Sequence, residues 1–110
     1  MKKHEDLIQK LADCLAACQF CADQCLAEDD VAKMIDCIRT DRDCADACQM
    51  AINFVARQSS NSKSVVDLCR NLCKACGDEC AKHDMDHCQA CANACRACEE
   101  ACENFLKVAA

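Results

Sequence analysis

Sixteen cysteines in 110 residues are the groups in this chain most able to do chemistry, and their spacing is regular. Cys14, Cys18, Cys21 and Cys25 are spaced 4-3-4, and Cys69, Cys73, Cys76 and Cys80 repeat that spacing. Cys88, Cys91, Cys95, Cys98 and Cys102 run 3-4-3-4, while Cys37, Cys44 and Cys48 form a sparser set. A deprotonated thiol is a soft ligand and a nucleophile, and two thiols form a disulfide. Steps of three and four residues return to the same side of a helix at about 100° per residue, so each run draws one stripe of sulfur.

The stripe pattern separates the chemistries open to thiols. Such a cysteine content ordinarily marks a secreted disulfide scaffold. Disulfide geometry is narrow, however, and neighbours on one helical stripe do not usually meet it. Disulfide-exchange enzymes use one C-x2-C pair at a helix N-terminus. Here C-x2-C recurs at 18–21, 73–76, 88–91 and 95–98, inside the runs. Iron–sulfur ligand runs lie in loops that wrap the cluster, whereas these follow the helix period, with no Pro and a single Gly, Gly77, to release the backbone. Cysteine can also serve as a small core hydrophobe. Leu, Ile and Val bury more area per residue, so filling a core with Cys gives up stability without some compensating function.

Soft metal binding remains. Cu(I) accepts two or three sulfurs, and two Cys at i and i+4 can converge on one such ion. Zinc prefers discrete tetrahedral sites built from two ligand pairs, which the continuous spacing does not isolate. The spacing therefore favours Cu(I) as the ion these thiols bind. A general thiol-rich buffer, chiefly for zinc and metallothionein-like, is the alternative.

The elements that must position the thiols are helices. The chain has no Pro, one Gly, no Trp, no Tyr and three Phe. So few breakers argue for helix almost throughout. Polar breaks at Glu28-Asp29-Asp30, at Gln58 to Ser64 and at Lys82 to Asp86 divide the chain. Helices are predicted at 4–27, 31–57, 64–81 and 86–107, with N-caps at Asp30, at Ser62 or Ser64, and at Asp84 or Asp86. Short links make neighbours antiparallel. The fold class is thus all-α: one domain, 1–110, folded as an up-down-up-down four-helix bundle with a cysteine-lined core. The Cys14–Cys25 stretch is about 16 Å long at 1.5 Å rise per residue, so the bundle would enclose a tube walled with sulfur.

The two ends of that tube differ. Leu7, Leu11, Ile52, Val55, Val65, Val66, Phe105 and Leu106 gather at the end holding the termini and form an apolar plug. This plug should let the copper-free protein fold on its own. The opposite end carries Met34, His83, Met85 and His87, whose thioether and imidazole groups are soft-metal ligands. Ions should enter there and meet Cys25, Cys37, Cys80 and Cys88 first. His4 is read as an exposed terminal residue, and Met50 as part of an outer packing surface. Asp41 takes the slot where the second stripe would place another Cys. Because an unpaired buried charge is costly, Asp41 is expected beside the lumen and partly solvated.

The C-x3-C and C-x2-C runs at 14–25, 69–80 and 88–102, with Cys37, Cys44 and Cys48, resemble the cytosolic copper storage proteins of bacteria, along essentially the whole chain. The resemblance implies Cu(I) storage, a homotetramer of bundles and metal entry at the His/Met end. Asp41 is the departure. A copper donor or acceptor protein would be a further partner. The net charge of −6 disfavours nucleic acid. No apolar run could span a membrane, and Glu5, Asp6, Lys10 and Asp13 interrupt any signal-peptide core. The expectation is a cytoplasmic, non-enzymatic protein.

Overall fold

The structure is a computed structural model and describes residues 4–108. Four helices follow in order: α1 (Glu5–Cys25), α2 (Ile35–Ala56), α3 (Ser62–Cys80) and α4 (Asp86–Val108), with a short 3-10 turn at Val31–Met34 leading into α2. Each helix packs on two neighbours, α1 against α2 and α4, and α3 against α2 and α4. The result is a square bundle measuring 44 × 20 × 19 Å. No strand occurs among the described residues.

Every helix is two-faced. On α1, Leu7, Leu11, Cys14, Cys18, Cys21 and Cys25 point inward, which continues one stripe from the apolar end into the thiols. On α4 the same stripe runs from Cys88 to Phe105. All sixteen cysteines have 0% exposure, as periodicity required. Buried Ala22, Ala45, Ala47, Ala51, Ala92 and Ala101 flank the stripes. Their small side chains let the helices approach closely. Leu11, Val55 and Val66 close the terminal end of the core. Ile52 and Leu106 only partly join that plug, packing against its edge.

The ends of the helices correct several expectations. Asp30 does not cap α2: it precedes the 3-10 turn without a side-chain cap bond, and α2 begins four residues later than predicted. Ser62 is the first residue of α3, not its cap. Its hydroxyl instead donates to the Ser59 carbonyl at 2.7 Å and the Phe54 carbonyl at 3.3 Å, fastening the α2–α3 loop. At the end of α2, Gln58 N–H donates to the Val55 carbonyl and Ser59 N–H to the Phe54 carbonyl. That is the Schellman arrangement, usually closed by Gly; here Gln58 holds the left-handed backbone at φ 54°. His4 is also left-handed and is not freely exposed: its ring sits edge-on to Phe105, with centroids 4.9 Å apart.

Candidate metal centre

The stripes meet on the bundle axis, where sulfur contacts sulfur between as well as within helices. Cys44 Sγ lies 3.5 Å from Cys73 Sγ, linking α2 to α3. Cys14 Sγ is 3.7 Å from Cys44 Sγ and 3.8 Å from Cys95 Sγ, linking α1 to α2 and α4. Cys69 Sγ is 3.8 Å from Cys48 Sγ. All sixteen thiols are free.

These contacts form quartets whose ligand atoms lie within 4.8 Å of one another. Four of them are Cys14–Cys44–Cys48–Cys73, Cys14–Cys18–Cys44–Cys95, Cys18–Cys76–Cys91–Cys95 and Cys48–Cys69–Cys73–Cys98. They overlap, since Cys14, Cys18, Cys44, Cys48, Cys73 and Cys95 each belong to two. With metal–thiolate bonds of about 2.3 Å, a trigonal site needs sulfurs about 4.0 Å apart and a tetrahedral site about 3.8 Å. The spacing therefore suits either geometry. The overlap is more telling, because a thiol shared by two sets could ligate an ion in either of them.

The thiols titrate as a network. A thiolate is stabilised when neighbouring S–H groups donate to it, and the donors then hold their own protons more tightly. Contacts with Cys37 and Cys80 push Cys21 down to about 5, while the Cys21 contact raises Cys37. Cys14 is likewise lowered, chiefly by Cys18 and Cys44, and Cys18 is raised by Cys14. Some thiols are thus primed to ionise beside others that stay protonated.

Asp41 contradicts its expectation. It is fully buried at 0% exposure, inside the lumen rather than beside it. Its Oδ1 accepts from Cys76 Sγ at 3.1 Å, Cys91 Sγ at 3.2 Å and Cys80 Sγ at 3.4 Å. Its Oδ2 faces Cys37 Sγ at 3.8 Å. The penalty for burying charge is avoided because the group is not charged: burial, then the Cys76 and Cys91 thiols, push it up to about 12. A neutral carboxyl ringed by thiols takes the place of a seventeenth sulfur.

At the mouth, His87 joins the thiols. Its Nδ1 lies 3.4 Å from Cys21 Sγ and 3.5 Å from Cys88 Sγ, and it completes a set with Cys21, Cys25 and Cys88. Burial alone would lower the His87 pKa, yet contacts with Cys21 and Glu28 outweigh it and hold the ring above its ordinary value. Cys21 belongs to the mouth along with Cys25, Cys37, Cys80 and Cys88, a grouping that stripe order alone had not placed. Met34 is buried at 1%, and Met85 packs half-buried against the same core. His83 is not brought to a thiol: its Nε2 pairs with Glu79 Oε2 at 2.9 Å, one turn back toward α3. Glu79 could have been found from its i−4 position, but Glu28 could not, since it is 59 residues from His87.

The helical wall offers no evident second way in at its one glycine. Gly77 is buried, and a methyl there would meet Arg96 Nη1 at 3.0 Å and Cys95 Cβ at 3.3 Å. Arg96 itself is held over this seam by Asp78, 2.7 Å away.

The arrangement has close relatives. A family model described as copper storage protein (Csp) matches residues 1–107. The structure of the Cu(I)-bound copper storage protein BsCsp3 matches with a TM-score of 0.90 and 44% identity, over 93% of this chain and 96% of that one. A cytosolic copper storage protein from Streptomyces lividans, in a structure with five coppers, matches with a TM-score of 0.92 and 42% identity, over 94% and 92% of the two chains. The uncharacterized cysteine-rich protein YhjQ of Bacillus subtilis (strain 168) is 45% identical over 88 residues, covering 80% of this chain and 82% of that protein.

Proposed function

This chain belongs to the copper storage protein family, and from that membership we propose that it stores multiple Cu(I) ions in the cytosol on the thiolates lining its bundle. The observation that carries the reading is the set of overlapping, fully buried thiol quartets. A catalyst needs one activated group open to substrate. Here the reactive groups are many, of one type and enclosed, which suits a reservoir and not an enzyme.

The storage ligands on this reading are the sixteen cysteines. Met34, His83, Met85 and His87 serve passage at the mouth, where neutral ligands bind more weakly than thiolates and hand an ion on. His87 is best placed for this, with Nδ1 against two thiols. His83 could contribute after leaving Glu79. Loading proceeds inward through Cys21, Cys25, Cys37, Cys80 and Cys88. The whole chain acts as one domain. Each ion bound displaces thiol protons, so uptake releases protons and weakens in acid. Exposed Phe20 and Leu68, the latter beside Met50 and Leu72, support association of bundles into a homotetramer, and a copper donor or acceptor protein would dock at the mouth.

Anaerobic titration of reduced protein with Cu(I), against a chromophoric chelator, tests storage. Saturation at many ions per chain is expected; saturation at one or two would refute it. The quartets also fit tetrahedral zinc, so the same titration is repeated with both metals present. Displacement of zinc by an equivalent of Cu(I) is expected, and retention of zinc would favour a general metal buffer.

A further inference from the structure

The mouth contains one polar contact that the storage reading leaves unused. Glu28 lies in the link after α1, where its N–H donates to the Cys25 carbonyl at 3.2 Å. Its carboxylate Oε2 lies 3.0 Å from His87 Nε2 at the start of α4. The two side chains are 32% and 11% exposed, so the pair sits at the rim, half withdrawn from water. On the inner edge of the same ring, Nδ1 faces Cys21 Sγ and Cys88 Sγ.

The chemistry of the acceptor fixes the chemistry of the ring. A carboxylate only accepts hydrogen bonds, so the nitrogen facing it carries a proton. In the neutral ring that leaves Nδ1 bare, with its lone pair directed at the thiols. In the charged ring the second proton sits on Nδ1, and that is the proton an arriving cation displaces. Either way Nε2 keeps its proton and Nδ1 is the nitrogen presented to the lumen. Carboxylate–histidine pairs of this kind set tautomer, orientation and basicity in metal sites.

Resting on the storage reading above, we propose that Glu28 is a positioning residue for copper uptake: its carboxylate holds the Nε2 proton of His87 and turns Nδ1 onto Cys21 and Cys88. Glu28 itself touches no thiol and binds no ion. It acts through the imidazole, joining the α1 link to the start of α4 across the opening. An ion reaching Cys21 and Cys88 then meets a correctly turned nitrogen, and any protons it displaces come from Nδ1 and the thiols. Without Glu28 the ring is free to rotate, and it can place its N–H toward sulfur.

Two measurements test this. The first is long-range proton–nitrogen NMR of the His87 ring in reduced, copper-free protein above its titration, and again with one equivalent of Cu(I). A protonated Nε2 in both states, with Nδ1 shifting on copper addition, is expected. A proton on Nδ1 of the neutral ring, or a copper shift at Nε2, overturns the proposal. The second is a double-mutant cycle on the affinity for the first Cu(I) equivalent. Glu28→Ala should weaken it by about tenfold or more, the range seen when such partners are removed. In a His87→Ala background the same change should alter affinity by less than about threefold. An equal loss in both backgrounds would mean that Glu28 acts as a surface charge and not through His87. The two readings fail separately: wild-type saturation at one or two ions refutes storage, while the ring's tautomer is read without copper.

Discussion

Asp41→Asn isolates the cost of placing a carboxyl inside the sulfur tube. In the folded, copper-free protein this group is protonated, since its pKa is pushed up to about 12 from the ordinary 3.8. In the unfolded chain it is ionised at neutral pH. Folding at pH 7 must therefore restore a proton that water has removed. Because the folded value lies far above 7, the cost depends only on how far pH 7 stands above the unfolded value. That gap is about 3 units at about 1.4 kcal/mol each, or about 4 kcal/mol. The sign follows from proton counting: the folded state binds one more proton than the unfolded state, so this residue makes stability fall as pH rises from about 4. Asparagine removes the titration with nearly the same shape. Its amide N–H groups find sulfur as their acceptor, which returns about 1–2 kcal/mol of the gain. The variant should be about 2–3 kcal/mol more stable at pH 7, with a midpoint about 10–20 °C higher. Near pH 4 the advantage should vanish or reverse. The assay is urea unfolding of reduced, copper-free wild type and variant, kept anaerobic, at intervals from pH 4.5 to 7.5. The difference between them should grow by about 1.4 kcal/mol per pH unit. A difference that does not change with pH, or a variant less stable at pH 7, would show that Asp41 is ionised in the fold and refute the reasoning.

The other expectations concern the two ends. Leu11→Ala removes a side chain with 0% exposure from the apolar plug and should cost about 2–5 kcal/mol in copper-free stability, with Cu(I) capacity unchanged in chelator titration. Gln58→Gly relieves a left-handed residue at the end of α2, and after the added flexibility of the unfolded chain it should stabilise by about 0.5–1 kcal/mol in the same urea assay. Replacing Met34, His83, Met85 and His87 together by Ala should slow chelator-driven removal of Cu(I) at equal loading while leaving capacity nearly intact. Reduced capacity with unchanged rates would make them storage ligands. Reduced, copper-free protein should be strongly helical, since the plug and buried thiols need no ion to pack; a random-coil far-UV spectrum would contradict this.

Periodicity alone determined the larger part of this molecule. Steps of three and four put each run of Cys on one helical face, and a face of that kind in a chain with so few breakers has nowhere to go but the centre of a bundle. The plug was legible for the same reason, because Leu7, Leu11 and Phe105 continue the stripes at either end of the chain. What one-dimensional spacing does not carry is the phase of one helix against another, or the path of a link. Asp41 shows the first limit. Its slot on the stripe was plain, but whether a carboxyl there is solvated depends on which thiols of α3 and α4 stand opposite, and these decide that it is buried neutral. Helix ends show the second: the α2–α3 loop is closed by backbone bonds and by Ser62 reaching back to Phe54, not by the side-chain caps the sequence offered. The mouth shows both at once. His83 and His87 look alike in sequence, four residues apart, yet one turns to Glu79 on its own side of the link and the other to Cys21 and Glu28 on α1 and its link. A side chain's partner across a bundle is set by the packing of whole helices, and only the folded chain holds that information.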